Sequence, residues 1–415
     1  MTNRGAKDAL ARAPRYPILF NVLLPVLILA FAIGSAAVMS YGTHADWAQF
    51  EHGLGLIMLT RRLQWPLVAL SLILCIALIA LVISGKRRAW WLIGLAPVLS
   101  LFMHRFTGGP GSAYAVYEEP TFVSAAEATF LADEDYVVGV QFQDDWYGYP
   151  YATLYKHPVV TQSDHDKRML LMWSPFANRA MAVNITRELR ARDLDIVSMP
   201  ASAMLLYNMR IGQYINGLTA RTVGDNGVPY GFQHSIPTTK STWRAWRESH
   251  PDTRVLVAPG GGVSNGPAAP IMPRQKMPPI DSSVAPNTRI AIVATTQPAA
   301  VLPEELNANP LNLNAGDSPA FVFRDPNGAL RAFDRHVEPD LMPPFRTARG
   351  EGRKGAAFID NYTETAWSLA GVAMDGELKG RKLTAVPVED DLSWGVMKYW
   401  YPRLELHRAT TQPSR

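Results

Sequence analysis

The chain has 415 residues, an apolar content of 48% and a formal net charge of only +4. That length allows two or three domains, and no Lys/Arg block interleaved with aromatics offers a nucleic-acid surface, so nucleic acid is not an expected partner. The single cysteine, Cys75, excludes an intrachain disulfide and a thiolate metal cluster.

Apolar residues concentrate at the start. Residues 18–40 run for 23 positions without a charge. At ~1.5 Å per helical residue this crosses a hydrocarbon layer ~30 Å thick. Residues 66–84 form a second such run, and Ala89 to His104 a shorter third, with Trp90 and Trp91 placed as an interfacial belt. Arg4, Lys7, Arg12 and Arg15 precede the first run, and Lys86, Arg87 and Arg88 join the second to the third. Both segments therefore belong on the cytoplasmic side, although Arg61 and Arg62 pull the other way. An uncleaved anchor over residues 1–106 is expected, with everything beyond it outside. None of the runs carries a carboxylate or a lysine, so a transporter is not indicated.

From Tyr114 onward, short segments such as "YVVGVQF", "RMLLMW", "RVLVA", "RIAIVA" and "PAFVFR" alternate with Pro/Gly-rich turns. The best helical stretches are "ATFLADE" and "STWRAWRESH". The fold class read from this pattern is α+β, β-rich, behind three N-terminal transmembrane helices. Residues 259–289 hold seven prolines and no periodicity, and read as a linker between residues 114–258 and 290–407, with a polar tail at 408–415. The two parts look like tandem copies. "VVGVQFQDDWYGYP" aligns with "IAIVATTQPAAVLP", and Trp243 precedes Pro251 by the same eight positions that separate Trp394 from Pro402.

Tyr149-Pro150, His157, "WSPFANRAMAVN", Leu205-Leu206-Tyr207-Asn208 and "TTKSTWRAWRESHPDT" occur in that order. This series resembles an uncharacterised bacterial family, the domain of unknown function numbered 3179, most clearly over residues 133–257. The resemblance implies a Cys-Pro-Leu-Cys turn where this chain has Ser174 and Ala177. A histidine with two thiolates can hold a soft metal or run thiol chemistry, whereas serine is a poor ligand and alanine none.

The candidate ligand-binding residues are thus His157, Tyr149, Trp173, Ser174, Tyr207 and Asn208. The weaker metal candidates are His157, Asp164, His165 and Asp166, although "TQSDHDKR" also reads as a solvated turn. Ser174 with His157 as base lacks a Gly-x-Ser-x-Gly-like elbow. No catalytic residue and no cofactor is assigned. The expected protein sits in the bacterial inner membrane with its large region in the periplasm. It binds or scaffolds a partner, either other subunits of a membrane complex or a second copy of itself. The other reading is a metal-handling protein or enzyme using His157 with Ser174, Tyr149 or Asn208.

Overall fold

The computed structural model describes residues 22–107, 114, 116–271, 277, 279–280, 284–295, 297–307, 309–315, 318–348 and 353–409. The basic residues before the first apolar run, the start of that run and most of the tail fall outside this set.

Helix α1 (Leu24–Tyr41), α2 (Gly53–Arg62), α3 (Gln64–Ile83) and α4 (Leu95–Thr107) form the N-terminal part. With the tight turn at Ala89–Gly94 preceding α4, three helices are long and apolar enough to cross a membrane: Leu24–Tyr41, Gln64–Ile83 and Ala89–Thr107. Small side chains let them approach. Ala32, Ala36 and Val98 form a contact cluster, and the Ala32 carbonyl accepts from Ser35 Oγ at 3.0 Å and Ser71 Oγ at 2.9 Å. Large apolar side chains on their outer surface, including Phe31, Ile73, Ile76 and Leu99, are exposed, which is compatible with a membrane anchor.

The connection between α1 and α3 folds against the β-rich region. Ala48 and Ile57 share a core cluster with Val197 and Leu205. Arg61 pairs with Asp195 at 2.7 Å and lies over the Tyr207 ring, while the Tyr214 hydroxyl donates to the Met58 carbonyl. Arg61, one of the two arginines that run against the charge rule, is therefore neutralised by a carboxylate of the folded region.

Residues 116–256 build three stacked sheets. The first has the order Thr238–Thr242, Tyr136–Phe142, Asp145–Pro150, Arg254–Leu256, Phe122–Ser124. The second runs Val116–Glu118, Val159–Asp164, Lys167–Ser174, Arg179–Ile185, Phe232–Ile236. The third is a meander of Leu194–Ser198, Leu205–Asn208, Gln213–Asn216 and Arg221–Thr222. The middle sheet explains the run "RMLLMW". Side chains alternate across a strand, so Met169, Leu171 and Trp173 pack on the first sheet and Leu170 and Met172 on the third. A strand covered on both faces has no polar alternation.

Residues 289–407 hold a sheet ordered Val388–Ser393, Arg289–Val293, Ala299–Val301, Glu405–His407, then the meander Leu311–Ala315, Ser318–Arg324, Leu330–Asp334, Ala385–Val386. Phe345–Thr347, Phe358–Asp360 and Ala366–Trp367 form a smaller sheet. The two parts share one core, in which Ala177, Ala203 and Leu218 meet Ile290, Leu302, Trp394 and Met397. The molecule is α+β with a β-rich C-terminal region.

Helix α5 (Trp243–Ser249) lies where "STWRAWRESH" predicts it, with Thr242 Oγ1 accepting from the Ala245 amide. "ATFLADE" is not a helix. Ser124–Glu127 and Ala132–Asp135 side-chain bonds fold it into turns, and Ala128, Phe130 and Leu131 pack on Trp243 and Trp246. The 259–289 stretch has no helix or strand among its described residues before Arg289, and it is tied down where the Tyr136 amide donates to the Ala268 carbonyl at 2.8 Å.

Candidate functional site: a buried polar junction beside a cleft

The turn that carries Ser174 and Ala177 joins two neighbouring strands, with Ser174 paired opposite Arg179. Four residues turn the chain, and Asn178 closes the loop at φ 52, in the left-handed region that asparagine tolerates better than most residues. Ser174 is fully buried, and its Oγ accepts from the Met204 amide at 3.3 Å. Ala177 is equally buried, in the core shared by the two halves.

The residues just after them bind the C-terminal half. Asn178 Oδ1 accepts from the Tyr151 hydroxyl at 2.8 Å, and its Nδ2 donates to Asp391 Oδ2 at 2.8 Å and to the Asp391 carbonyl at 3.0 Å. Arg179 holds Glu389 through two bonds of 2.7 and 2.8 Å and donates to the Tyr401 hydroxyl at 2.7 Å. Lys240 Nζ donates to the Asn178 carbonyl at 2.7 Å and to the Asp390 carbonyl. Arg289 approaches Asp391 at 3.3 Å.

Burial and charge set the protonation of this cluster. Burial pulls the Arg179 guanidinium down, but Tyr401 and Glu389 outweigh it, so its pKa lies above the usual arginine value. Burial, helped by the Asp391 charge, raises the Tyr151 hydroxyl. The Lys240 stem is partly exposed while its ammonium is enclosed. Burial lowers its pKa to about 8 against the pull of Glu389, Asp391 and Asp390.

This shift has a measurable consequence. Between about 8 and 10.5 the unfolded chain binds more protons at Lys240 than the folded one, so this group's contribution to stability rises with pH. Below pH 8 both states carry the charge and the full penalty remains. The drop from 10.5 to about 8 caps the effect at about 3 kcal/mol. The difference in denaturation midpoint between wild type and Lys240→Met should therefore change across pH 7.5–9.5, with wild type gaining relative to the variant.

Beside the junction lies a cleft of ≈ 470 Å³ between the halves, lined by Asn216, Thr219, Gln297, Trp400, Tyr401 and Arg403 among others. Arg403 is the only charged residue in that lining among the described residues. Tyr401 belongs to both features, lining the cleft while its hydroxyl is held by Arg179.

The residues singled out from the sequence fall in three places. Tyr149 and Trp173 are in the core between the first two sheets; the Tyr149 hydroxyl donates to Gln162 Oε1, and burial pushes its pKa well up. His157 is half-buried between the one-turn helix Tyr151–Leu154 and the strand that starts at Val159, its ring 5.3 Å from that of Tyr117. Tyr207 and Asn208 belong to the sheet that docks on α2, where Asn208 Oδ1 accepts from the Arg210 amide and so shapes the next turn. Asp164, His165 and Asp166 cap an exposed hairpin, with His165 at φ 51 and bonded to Asp164 at 2.8 Å. No group of three His, Cys, Asp or Glu that could hold a metal occurs among the described residues.

Sequence reasoning missed Asn178, Arg179, Lys240, Glu389, Asp391 and Tyr401. The one available signal was "VEDDLS", an acidic run inside a strand directly before the tryptophan that opens helix α6 (Trp394–Trp400). The Trp…His-Pro-Asp-Thr motif is architectural. The His250 ring stacks on Trp146 at 3.8 Å and approaches Trp246 at 4.2 Å, and Trp246 Nε1 donates to Thr253 Oγ1 at 2.9 Å.

Apolar helices followed by stacked, mostly antiparallel sheets, with a polar junction between two halves, define an α+β protein whose chemistry is concentrated where the halves meet. Residues 115–403 match the family described as Protein of unknown function (DUF3179), and the chain belongs to that family. The match runs through both halves, taking in residues 133–257 and also the segment "ETAWSLAGVAMDGELKGRKLTAVP", which resembles the family's late portion. Neither the curated proteins nor the solved structures contain a match to the chain.

Proposed function

We propose that this is a membrane-anchored protein of the bacterial inner membrane whose β-rich region faces the periplasm. In this reading it binds or scaffolds a partner without catalysis, as an accessory subunit of a membrane complex. The observation that carries it is the fate of the turn at 174–179. Where the family resemblance places thiols, this chain has a buried hydroxyl bonded to a backbone amide and a buried methyl group. The residues beside them are committed to holding the halves together. The neighbouring cleft offers amides, hydroxyls, two aromatic rings and one guanidinium, a lining suited to recognition.

We further propose that the halves are tandem copies. In each, an edge strand pairs antiparallel with the first strand of a hairpin and leads into a short tryptophan-started helix. The strand after that helix then pairs parallel with the second strand of the hairpin. Lys240 and Asp391 occupy matching places, three residues before Trp243 and Trp394. Opposite charges at equivalent positions favour pairing of one copy with the other over pairing of like copies.

Purification of the full chain from native membranes in a gentle detergent tests the reading. A stoichiometric second chain, or a second copy, is expected to travel with it and to be reduced by Arg403→Glu at the cleft. A lone monomer under the same conditions would contradict the scaffold role.

A further inference from the structure

Among the described residues beyond α4, seven large apolar side chains are exposed, and four of them share two neighbouring loops. Met209 and Ile211 are 48% and 45% exposed on one loop, and Val228 and Tyr230 are 57% and 40% exposed on the other. The loops are tied together. The Tyr230 amide donates to Gln213 Oε1 at 2.9 Å, and the Arg210 guanidinium lies 5.8 Å over the Tyr230 ring while donating to the Glu188 carbonyl at 3.0 Å. Exposed Arg187, Arg190, Arg192 and Arg210 rim the patch, against Glu188 and Asp193.

The position of the patch is fixed by the sheet beneath it. The strand Leu205–Asn208 starts in the cluster with Ala48 and Ile57, and by Tyr207 it has reached Arg61. Its run therefore points along α2 toward Gln64, the first residue of α3. Gln64 Oε1 accepts from Arg105 Nη2 at 3.0 Å, which sets the start of α3 and the end of α4 at one level. At ~3.3 Å per residue the strand's last residue, Asn208, lies about 3 Å beyond Tyr207 in that direction, and the turn at 209–212 follows it. The turn after this strand thus lies on the side facing the start of α3.

We infer that the loops 209–212 and 228–231 form a second membrane contact. Met209, Ile211, Val228 and Tyr230 seat in the headgroup region of the leaflet on the β-rich side, and the arginine rim meets anionic headgroups. Apolar tips rimmed by guanidiniums, at the strand end that points toward the start of α3, match an anionic lipid surface in both polarity and charge. The contact stands the third sheet with this end on the bilayer and fixes the orientation of the cleft at its other end. It rests on the membrane-anchor reading.

The full chain in proteoliposomes of phosphatidylethanolamine with phosphatidylglycerol provides the test. In a Cys75→Ser background, Ile211→Cys and Val228→Cys each carry an environment-sensitive fluorophore, with Met342→Cys as the control on the C-terminal half. Brominated lipids should quench the labels at 211 and 228 several-fold more than the label at 342. Quenching should grow with the phosphatidylglycerol fraction, and that growth should vanish in R187Q/R190Q/R192Q. Quenching at both loop positions no greater than at 342 overturns the proposal. So does a blue-shifted label that brominated lipids leave unquenched, because protein then covers the patch. Quenching that ignores phosphatidylglycerol overturns the role of the arginines. A label on native Cys75, inside α3, reports the anchor independently: quenched there but not at the loops, the anchor stands and the second contact falls.

Discussion

Glu389→Ala is expected to destabilise the protein by about 3–5 kcal/mol, because it removes the partner of a buried guanidinium and leaves the charge uncompensated. Arg179 holds Glu389 through two short bonds at the junction, and only the Tyr401 hydroxyl would remain to it. Glu389→Gln keeps a hydrogen-bond acceptor and should lose less. Replacing the pair together, Arg179→Met with Glu389→Leu, should recover most of the loss, since apolar groups of similar volume do not have to be desolvated as ions. Chemical denaturation of the four proteins checks the ordering. A single alanine variant as stable as wild type would show that the pair contributes nothing to joining the halves.

The second large effect lies on the face of the first sheet turned away from the middle sheet. Trp246 is buried, and its indole rests on Gly139 and Gly148. A Cβ added at Gly139 would stand 2.2 Å from the ring, so even alanine requires the indole to move. Trp246→Ala should cost about 3–5 kcal/mol through the cavity it leaves. Gly139→Val should cost about 3 kcal/mol through overpacking. The two substitutions combined should cost less than their sum, because the added methyl groups enter space the indole has vacated. Additive losses in thermal or urea unfolding would mean that glycine is needed there for the backbone and not for the tryptophan.

These effects mark what a single sequence can and cannot display. Run length and flanking charge placed three apolar helices. The apolar run Met169–Trp173 marked a strand, and its lack of alternation is explained by burial on both faces, where no solvent face imposes alternation. The helix after Thr242 was legible from its cap and aromatic spacing. The turn at 128–134 was not, since local side-chain bonds and packing against Trp243 and Trp246 override its helical composition. The junction was invisible for another reason. Asn178 meets Asp391 and Arg179 meets Glu389 across more than two hundred residues, and no local pattern encodes such a pairing. Arg61 is a similar case. Read by sequence it is a topological signal, while in the fold it is the partner of Asp195. Strand register, which distributes Tyr149, His157 and Tyr207 among three separate surroundings, is likewise set by the whole sheet stack.

We propose that the β-rich region of this chain keeps the family's frame and uses it for contact. Elemental and intact-mass analysis of the full chain, purified from native membranes without chelator, tests that most directly when wild type and His157→Ala are compared. The prediction is the same composition for both: no stoichiometric metal and no covalent adduct. One equivalent of metal, or an adduct, present in wild type and gone from His157→Ala would contradict it.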